Sequence, residues 1–108
     1  MKLHWTTHSQ IKMKQYGLSK QKLLGVIRKP ERKEQGIAQG TTAVMQTRKV
    51  FGSAVDLAKR KTLPGEIWLM YKDAKGERKI ISAWRYPGIS KPGESIPIPE
   101  EIKRELMG

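Results

Sequence analysis

The stretch between Gly65 and Gly88 constrains the fold of this chain most strongly. Two runs rich in β-branched and aromatic residues, Ile67–Tyr71 and Lys79–Tyr86, flank the turn-like segment Asp73–Gly76. Two β-forming runs joined by a short turn that contains glycine are typical of a β-hairpin. We therefore expect this hairpin to form the centre of a sheet.

Two helices are predicted ahead of the hairpin. The first covers about His8–Tyr16 behind an N-cap at Thr7, and the glycine after it is the expected left-handed stop. The second covers Lys20–Arg28 behind an N-cap at Ser19 and ends before a proline. The residues ahead of both helices, Met1–Thr6, form either an edge strand or a segment that packs its tryptophan against the sheet.

The middle of the chain is predicted less sharply. Thr41–Val50 alternates in polarity and is expected to be a strand. Glu31–Gly40 is polar, and we expect a loop there or a weak strand near Gln35–Ala38. Gly52–Gly65 is either a short helix or a mobile basic loop.

From Pro87 onward the chain is rich in proline and glycine, which predicts a linker. A short C-terminal helix follows from Pro99, with apolar residues four positions apart at Ile98, Ile102 and Leu106. This tail either docks on the domain or binds a partner. The order of elements predicts an α+β fold with two N-terminal helices on an antiparallel sheet of three to four strands. We expect one domain over residues 1–88, with the linker and helix at 89–108.

The charge of the chain indicates an anionic partner. Lys and Arg number 22 against 10 Asp and Glu, which gives a formal net charge of +12. A compact chain of this charge repels itself unless an anion neutralises it, so we expect it to bind nucleic acid, either RNA or DNA. The competing interpretation is a basic surface that is simply solvated.

Several kinds of site are excluded by the composition. The chain has no cysteine, which rules out disulfides, thiolate catalysis and cysteine-based zinc sites. His4 and His8 have no carboxylate cluster near them in the sequence, and we expect neither a metal nor another cofactor. No apolar run is long enough to cross a membrane, and we expect no membrane partner and a soluble, cytoplasmic protein.

His8 and Lys12 are the first candidate catalytic residues, since four positions on a helix place them on one side. An imidazole exchanges protons near neutral pH, and an ammonium binds phosphate. Metal-free RNA cleavage needs a base, an acid and cations for the phosphoryl oxygens. We expect His8 to act as base or acid, and Lys12, Arg48 and Arg85 to bind phosphate. The alternative is that His8 caps or packs the helix and Lys12 is solvated.

Aromatic and basic residues elsewhere are candidates for substrate binding. Tyr16, Tyr71 and Tyr86 either stack on a base or donate a proton, although a strand tyrosine such as Tyr71 also suits a core. A basic run in the middle of the chain either contacts phosphates or is solvated; its members are Lys59, Arg60 and Lys61.

The segment from His8 to Ser19 resembles the opening of a widespread bacterial domain of unknown function, His-Ala-x-x-Arg-Met-x-x-Arg-Gly-Ile-Ser. His8 matches the histidine, Lys12 the first arginine, and the following Met13 and Gly17-Leu18-Ser19 match their counterparts. Tyr16 stands where that domain has its second arginine.

A second resemblance lies on the last strand. Ile81-Ser82-Ala83 is similar to the Ile-Ser-Ala-Arg strand of BrnT-type toxins, with Trp84 in place of the arginine and Arg85 one position later. Both families belong to the RelE/ParE-like toxin group. The resemblance implies two helices on a curved antiparallel sheet, an endoribonuclease that leaves a 2′,3′-cyclic phosphate, and an acidic antitoxin as partner.

On this interpretation His8, Lys12 and Arg85 are catalytic, and Ser82 approaches the substrate from the last strand. Two other functions stay open. One is a nucleic-acid-binding module without catalysis, and the other is a small protein-interaction domain that makes its contact through the C-terminal tail.

Overall fold

The structure is a computed structural model, and it describes residues 2–49 and 64–107. These residues form three helices and a five-stranded mixed sheet. In chain order the elements are β1 (Lys2–Trp5), α1 (Thr7–Tyr16), α2 (Lys20–Arg28), β2 (Arg32–Gln35), β3 (Thr41–Lys49), β4 (Pro64–Ala74), β5 (Glu77–Tyr86) and α3 (Glu100–Met107). Across those residues, no helix has the length and apolar character that crossing a membrane requires.

The α+β class is confirmed, but the sheet is larger than expected and is not purely antiparallel. Its order is β1-β5-β4-β3-β2, with β1 parallel to β5 and every other pair antiparallel. The extra strand β2 covers Arg32–Gln35, ahead of the weak strand predicted at 35–38. Its four residues are all charged or polar and have low β propensity, so pairing with β3 rather than local preference makes them a strand.

The central hairpin is confirmed as β4 and β5. Ala74 pairs with Glu77, which leaves Lys75 and Gly76 as a two-residue turn. Both turn residues have positive φ, 50° and 75°, as a tight hairpin turn that follows the twist of the strands requires. A register shift next to Met70 inserts one extra residue into β5. Such a bulge changes which way the following side chains point.

The first face of the sheet carries α2 and the larger apolar cluster. Successive strand residues point to opposite faces, so Val44, Leu69 and Ile80 share this side while their neighbours point away. Leu23 and Val26 of α2 are fully buried against them. Burial of one stripe of α2 therefore fixes this helix on the sheet.

The second face is covered by the C-terminal segment. Trp68 and Trp84 lie opposite each other on β4 and β5 and stack, with ring centroids 6.0 Å apart and planes 5° from parallel. Trp84 Nε1 donates to the carbonyl of Pro97 at 2.8 Å. Ile102 of α3 is fully buried in the same cluster, and Ile98 and Leu106 pack at its margin. The tail thus docks on the domain, one of the two outcomes that its sequence left open.

A buried polar network anchors the chain just before the tail. The Glu66 carboxylate is buried and accepts hydrogen bonds from Trp68 Nε1 at 3.0 Å and from the backbone nitrogen of Ser90 at 2.8 Å. Arg32 donates to the hydroxyl of Ser90 at 2.6 Å, and its guanidinium lies over the Trp68 ring, 5.2 Å from the centroid. These bonds fix Ser90 over the second face and start the path that brings α3 to the sheet.

Candidate functional site

Helix α1 lies along an edge of the sheet and not squarely on a face. β1 pairs with the first half of β5, and α1 continues along the second half of β5. The helix is capped by Thr6 rather than Thr7, since the Thr6 side chain accepts from the backbone nitrogen of Ser9 at 3.2 Å. Gly17 ends it in the left-handed conformation, as predicted. This position lets α1 contribute to both sides of the sheet.

The carboxylate of Glu105, on α3, is the closest partner of both predicted catalytic residues on α1. It lies 3.1 Å from Nδ1 of His8 and 2.8 Å from Nζ of Lys12. A carboxylate only accepts hydrogen bonds, so Nδ1 carries the proton that bonds to Glu105. In the neutral imidazole, Nε2 then accepts from the hydroxyl of Ser82 on β5, 3.2 Å away. His8 is therefore oriented on both ring nitrogens.

Lys12 is a buried cation. Its side chain is only 5% exposed, and its ammonium contacts Glu105, the Glu101 carboxylate at 3.6 Å and Gln15 Oε1 at 3.1 Å. A buried ammonium is costly unless it is paired, and here both acidic partners come from α3. Lys12 is thus not the solvated lysine that the alternative interpretation of the sequence expected.

Tyr16 completes the contact between α1 and α3. Its hydroxyl donates to Glu101 Oε1 at 2.7 Å, and Gln15 Nε2 donates to the same oxygen at 2.7 Å. Burial, together with the adjacent Glu101, raises the pKa of Tyr16 to about 12. The hydrogen bonds from Tyr16 and Gln15, with the nearby Lys12 charge, lower the pKa of Glu101. Tyr16 therefore stays protonated and Glu101 ionised at neutral pH.

The presentation of the two carboxylates follows from the sequence of α3. Glu101 and Glu105 are four residues apart and share one side of the helix, beside the stripe that buries Ile102. Docking the apolar stripe on the second face therefore turns the acidic side toward α1. Neither carboxylate was predicted from the sequence as a site residue. The two carboxylates have the same four-residue spacing as His8 and Lys12, and this match was the available signal that the two helices face each other.

Arg85 lies apart from this cluster. Its Nε donates to the carbonyl of Tyr16 at 2.7 Å and its Nη2 to the carbonyl of Gly17 at 3.2 Å. These carbonyls belong to the end of α1, where a cation also interacts favourably with the helix dipole. In this arrangement Arg85 holds the end of α1 and does not reach His8.

The other predicted substrate-binding residues are scattered. Tyr71 is buried in the first-face cluster, with the Arg78 guanidinium 4.0 Å from its ring centroid, so it packs rather than stacks on a ligand. Arg48 lies near the end of β3, paired with Gly65 of β4. Ser82 is fully buried and contacts His8. The predicted basic run at 59–61 lies outside the described residues.

A row of exposed basic side chains crosses three neighbouring strands beside the cluster. Lys79 on β5 lies opposite His4 on β1 and opposite Lys72 on β4. All three are exposed, and they point to the second face because their neighbours Ile80 and Tyr71 enter the first-face core. We call these three residues the basic row. Sequence analysis missed it, since only the strand register brings residues 4, 72 and 79 together.

The basic row and the cluster are adjacent. Ser82 follows Lys79 by three positions along β5, and His8 follows His4 by four positions along the chain. The α1–β5 edge therefore carries exposed cations at one end and the His8–Lys12 pair at the other.

Within the described residues, no group of three or more histidine, aspartate or glutamate side chains is arranged to hold a metal ion. No protein-family model, curated protein or solved structure matches this chain. Its function therefore has to be inferred from its own residues.

Proposed function

We propose that this chain binds RNA and cleaves it as a RelE-like endoribonuclease that needs no metal, with its site where α1, β5 and α3 meet. One observation carries the proposal: a single carboxylate, that of Glu105, contacts both the imidazole of His8 and the ammonium of Lys12. A phosphodiester also carries one negative charge shared between two oxygens. A phosphate in the place of Glu105 has a proton-transfer group and a cation within hydrogen-bond distance.

The chemistry follows from the two ring nitrogens of His8. When a phosphodiester replaces the carboxylate, the Ser82 hydroxyl accepts from Nε2–H and leaves a lone pair on Nδ1. Nδ1 takes the proton of the ribose 2′-hydroxyl, and the 2′-oxygen bonds to phosphorus. The bond between phosphorus and the 5′-oxygen breaks, and the 5′-oxygen takes the proton of the Tyr16 hydroxyl. The products are a 2′,3′-cyclic phosphate and a 5′-hydroxyl, and exchange with water resets His8 and Tyr16.

Lys12 supplies the charge for this step, since its ammonium faces the phosphoryl oxygens on which negative charge develops. Arg85 acts here as a positioning residue, because it holds the carbonyl of Tyr16 and so fixes the end of α1.

The basic row supports RNA as the ligand. Lys72 and Lys79 lie directly opposite each other on neighbouring strands, and like charges at such positions destabilise a sheet. An RNA backbone that crosses the row neutralises this repulsion and releases bound counterions. The same backbone then leads toward His8. An acidic antitoxin as protein partner and a cytoplasmic location belong to this proposal.

A second candidate function is RNA binding without cleavage. Both ring nitrogens of His8 are occupied and Lys12 is almost fully buried, which favours a structural role for the pair in the closed arrangement. The exposed basic row serves binding equally well in both cases.

Cleavage and binding of a labelled single-stranded RNA in EDTA separate the two functions. The first function predicts cyclic-phosphate ends, loss of cleavage in His8→Ala and Lys12→Ala, and full activity in Lys14→Ala, an exposed lysine on the same helix. Salt-sensitive binding without any cleavage by wild type leaves the second function. If neither RNA nor DNA binds at low salt, both proposals are wrong.

The basic row has its own test. Lys72→Glu with Lys79→Glu is expected to weaken RNA binding and to reduce the slope of log affinity against log salt by about two, roughly one for each phosphate contact. Lys33→Glu, an exposed lysine paired through β2, is the matched control. An unchanged slope would show that the row does not contact phosphates.

A further inference from the structure

We infer that α3 is an internal occupant of the RNA site, so that its two carboxylates hold the positions of RNA phosphates and RNA binds only when α3 leaves. The inference rests on the proposed function and adds its regulation. Glu105 occupies His8 and Lys12, and Glu101 occupies Tyr16, Gln15 and Lys12. Each polar group that the proposed reaction needs on α1 thus already has a carboxylate partner.

The contacts between α1 and α3 are of a kind that can be exchanged. The side chains of Glu101 and Glu105 are 42% and 41% exposed, so water and competing anions reach both carboxylates. Ion pairs with such exposed partners contribute little net stability, because solvent screens them. A phosphate forms the same hydrogen bonds to the same donors. Exchange of carboxylate for phosphate therefore conserves the polar contacts of α1.

The attachment of α3 to the sheet is also limited. The helix has eight residues, and among its described side chains only Ile102 is fully buried. A helix of this length is marginal without its docking surface. By contrast, the segment before it is anchored by the bond from Trp84 to the Pro97 carbonyl and by the buried Glu66 network. We therefore expect α3 to detach from the sheet while the sheet and the anchored segment stay in place.

The two occupants are coupled because they share one site. If RNA and α3 bind the same cations, RNA must weaken the docking of α3, and release of α3 must raise RNA affinity by the same factor. Removal of the charge of either carboxylate should therefore increase the affinity for RNA. A purely structural role for α3 predicts instead a lower affinity or loss of the fold.

The inference is tested with variants that each remove one negative charge, so that they do not differ in net charge. Glu101→Gln and Glu105→Gln each remove one negative charge, and Glu100→Gln removes one at an exposed position in the first turn of the same helix. The affinity of each variant for a short single-stranded RNA is measured alongside hydrogen exchange of the α3 amides, with and without RNA. We expect affinity to rise about tenfold in Glu101→Gln and Glu105→Gln but not in Glu100→Gln, and α3 exchange to speed up when RNA binds wild type.

Three results overturn the inference. If RNA binds wild type while the α3 amides keep their protection, the two occupy different places, and the proposed RNA-binding function survives without this regulation. If all three variants gain affinity equally, the effect is one of net charge alone. Absence of RNA binding by wild type and by every variant at low salt removes the proposed function and this inference together.

Discussion

The ammonium of Lys12 and the carboxylate of Glu105 lie 2.8 Å apart across the junction of α1 and α3, in residues separated by most of the chain. The Lys12 side chain is 5% exposed, whereas that of Glu105 is 41% exposed. The pair is therefore asymmetric: removal of α3 returns a hydrated carboxylate to water but uncovers a cation that had been buried. This asymmetry supports the inference that α3 is the partner that leaves the site while α1 stays in place.

Lys12→Met is expected to separate function from stability. Methionine keeps the length and apolar stem of lysine, and the carboxylates that lose the ammonium are already reached by water. We expect the free energy of unfolding to change by no more than about 1 kcal/mol, whereas RNA cleavage is lost. Chemical denaturation and a cleavage assay on the same sample measure both quantities. Retained cleavage would show that the ammonium does not serve the reaction.

Burial is the largest cause of the raised pKa of Tyr16, and the hydrogen bond and charge of Glu101 add to it, so Glu101→Gln is expected to lower this pKa from about 12 part of the way toward 10. The residual elevation reflects burial, which the substitution leaves in place. Tyrosine-selective NMR titration resolves Tyr16 from the other two tyrosines. Glu100→Gln serves as the control, and a Tyr16 pKa that stays near 12 in Glu101→Gln would contradict the observed contact.

Docking of α3 should weaken in acid. The pKa of Glu101 is lowered below its usual 4.5 by the hydrogen bonds from Tyr16 and Gln15. A carboxyl whose pKa is lower in the docked state stabilises docking above its usual pKa, and this contribution disappears as the pH falls through the lowered value. Hydrogen exchange of α3 followed from neutral pH into acid should therefore show earlier loss of protection than the amides of β4. In Glu101→Gln the pH dependence should be reduced.

Docking of α3 should also weaken in alkali, because the pKa of Tyr16 is raised. Its raised value means that the contribution of the protonated phenol is fully present below pH 10 and is lost as the pH rises through about 12. Tyr16→Phe should remove this alkaline transition of α3 and should also reduce the acid transition, because the Tyr16 hydroxyl is the largest cause of the lowered Glu101 pKa. The same exchange measurement, carried to alkaline pH, tests the point, and an unchanged alkaline transition in Tyr16→Phe would contradict it.

Two glycines should respond oppositely to alanine. A Cβ on Gly36 would lie 2.1 Å from Thr41 Oγ1 and 2.8 Å from the Met70 sulfur, so Gly36→Ala forces the turn between β2 and β3 to move. We expect a loss of about 1–3 kcal/mol in the free energy of unfolding. In α2, a Cβ on Gly25 meets only Gln46 at 3.9 Å, and Gly25→Ala should stabilise by about 0.5–1 kcal/mol. Thermal and denaturant unfolding of both variants compare the signs directly.

Glu66→Ala should be among the most damaging single changes on the second face. It removes the acceptor of Trp68 Nε1 and of the Ser90 backbone nitrogen, both held in a buried network. Leaving such donors unsatisfied costs about 1–3 kcal/mol for each group. Glu66→Gln keeps one acceptor oxygen and should cost less. Denaturant unfolding measures the difference, and equal losses in both variants would show that the acceptor oxygen kept by glutamine satisfies neither donor.

The distance along the chain between interacting residues separates the features that were predicted from those that were not. The hairpin of β4 and β5, the two N-terminal helices and the glycine stop at Gly17 were predicted correctly, because caps, stops and apolar periodicity act over three to five residues. β2 was misplaced because its polar residues carry no such signal. Pairing with β3 decides it, and that pairing depends on the rest of the sheet.

The candidate site was predicted in part. His8 and Lys12 share a side of α1 as their spacing required. Ser82 contacts His8, and Tyr16 contacts Glu101, which also pairs with Lys12. Tyr71 lies instead in the first-face core, and Arg85 binds the end of α1. Their roles were mispredicted because a residue type that suits phosphate binding also suits packing or capping.

By itself, the sequence determined which segments become helices and the hairpin, and the apolar spacing of Ile98, Ile102 and Leu106 at the C-terminal helix. It also determined the formal net charge of +12, on which the proposal of an anionic partner rests. Only the tertiary structure decided that α3 docks on the second face, and with it that Glu101 and Glu105 meet Tyr16, Lys12 and His8. The physical reason is that these contacts join residues more than 80 positions apart, such as Tyr16 and Glu101. No local pattern encodes such a contact, which requires apolar residues buried on both faces of one sheet.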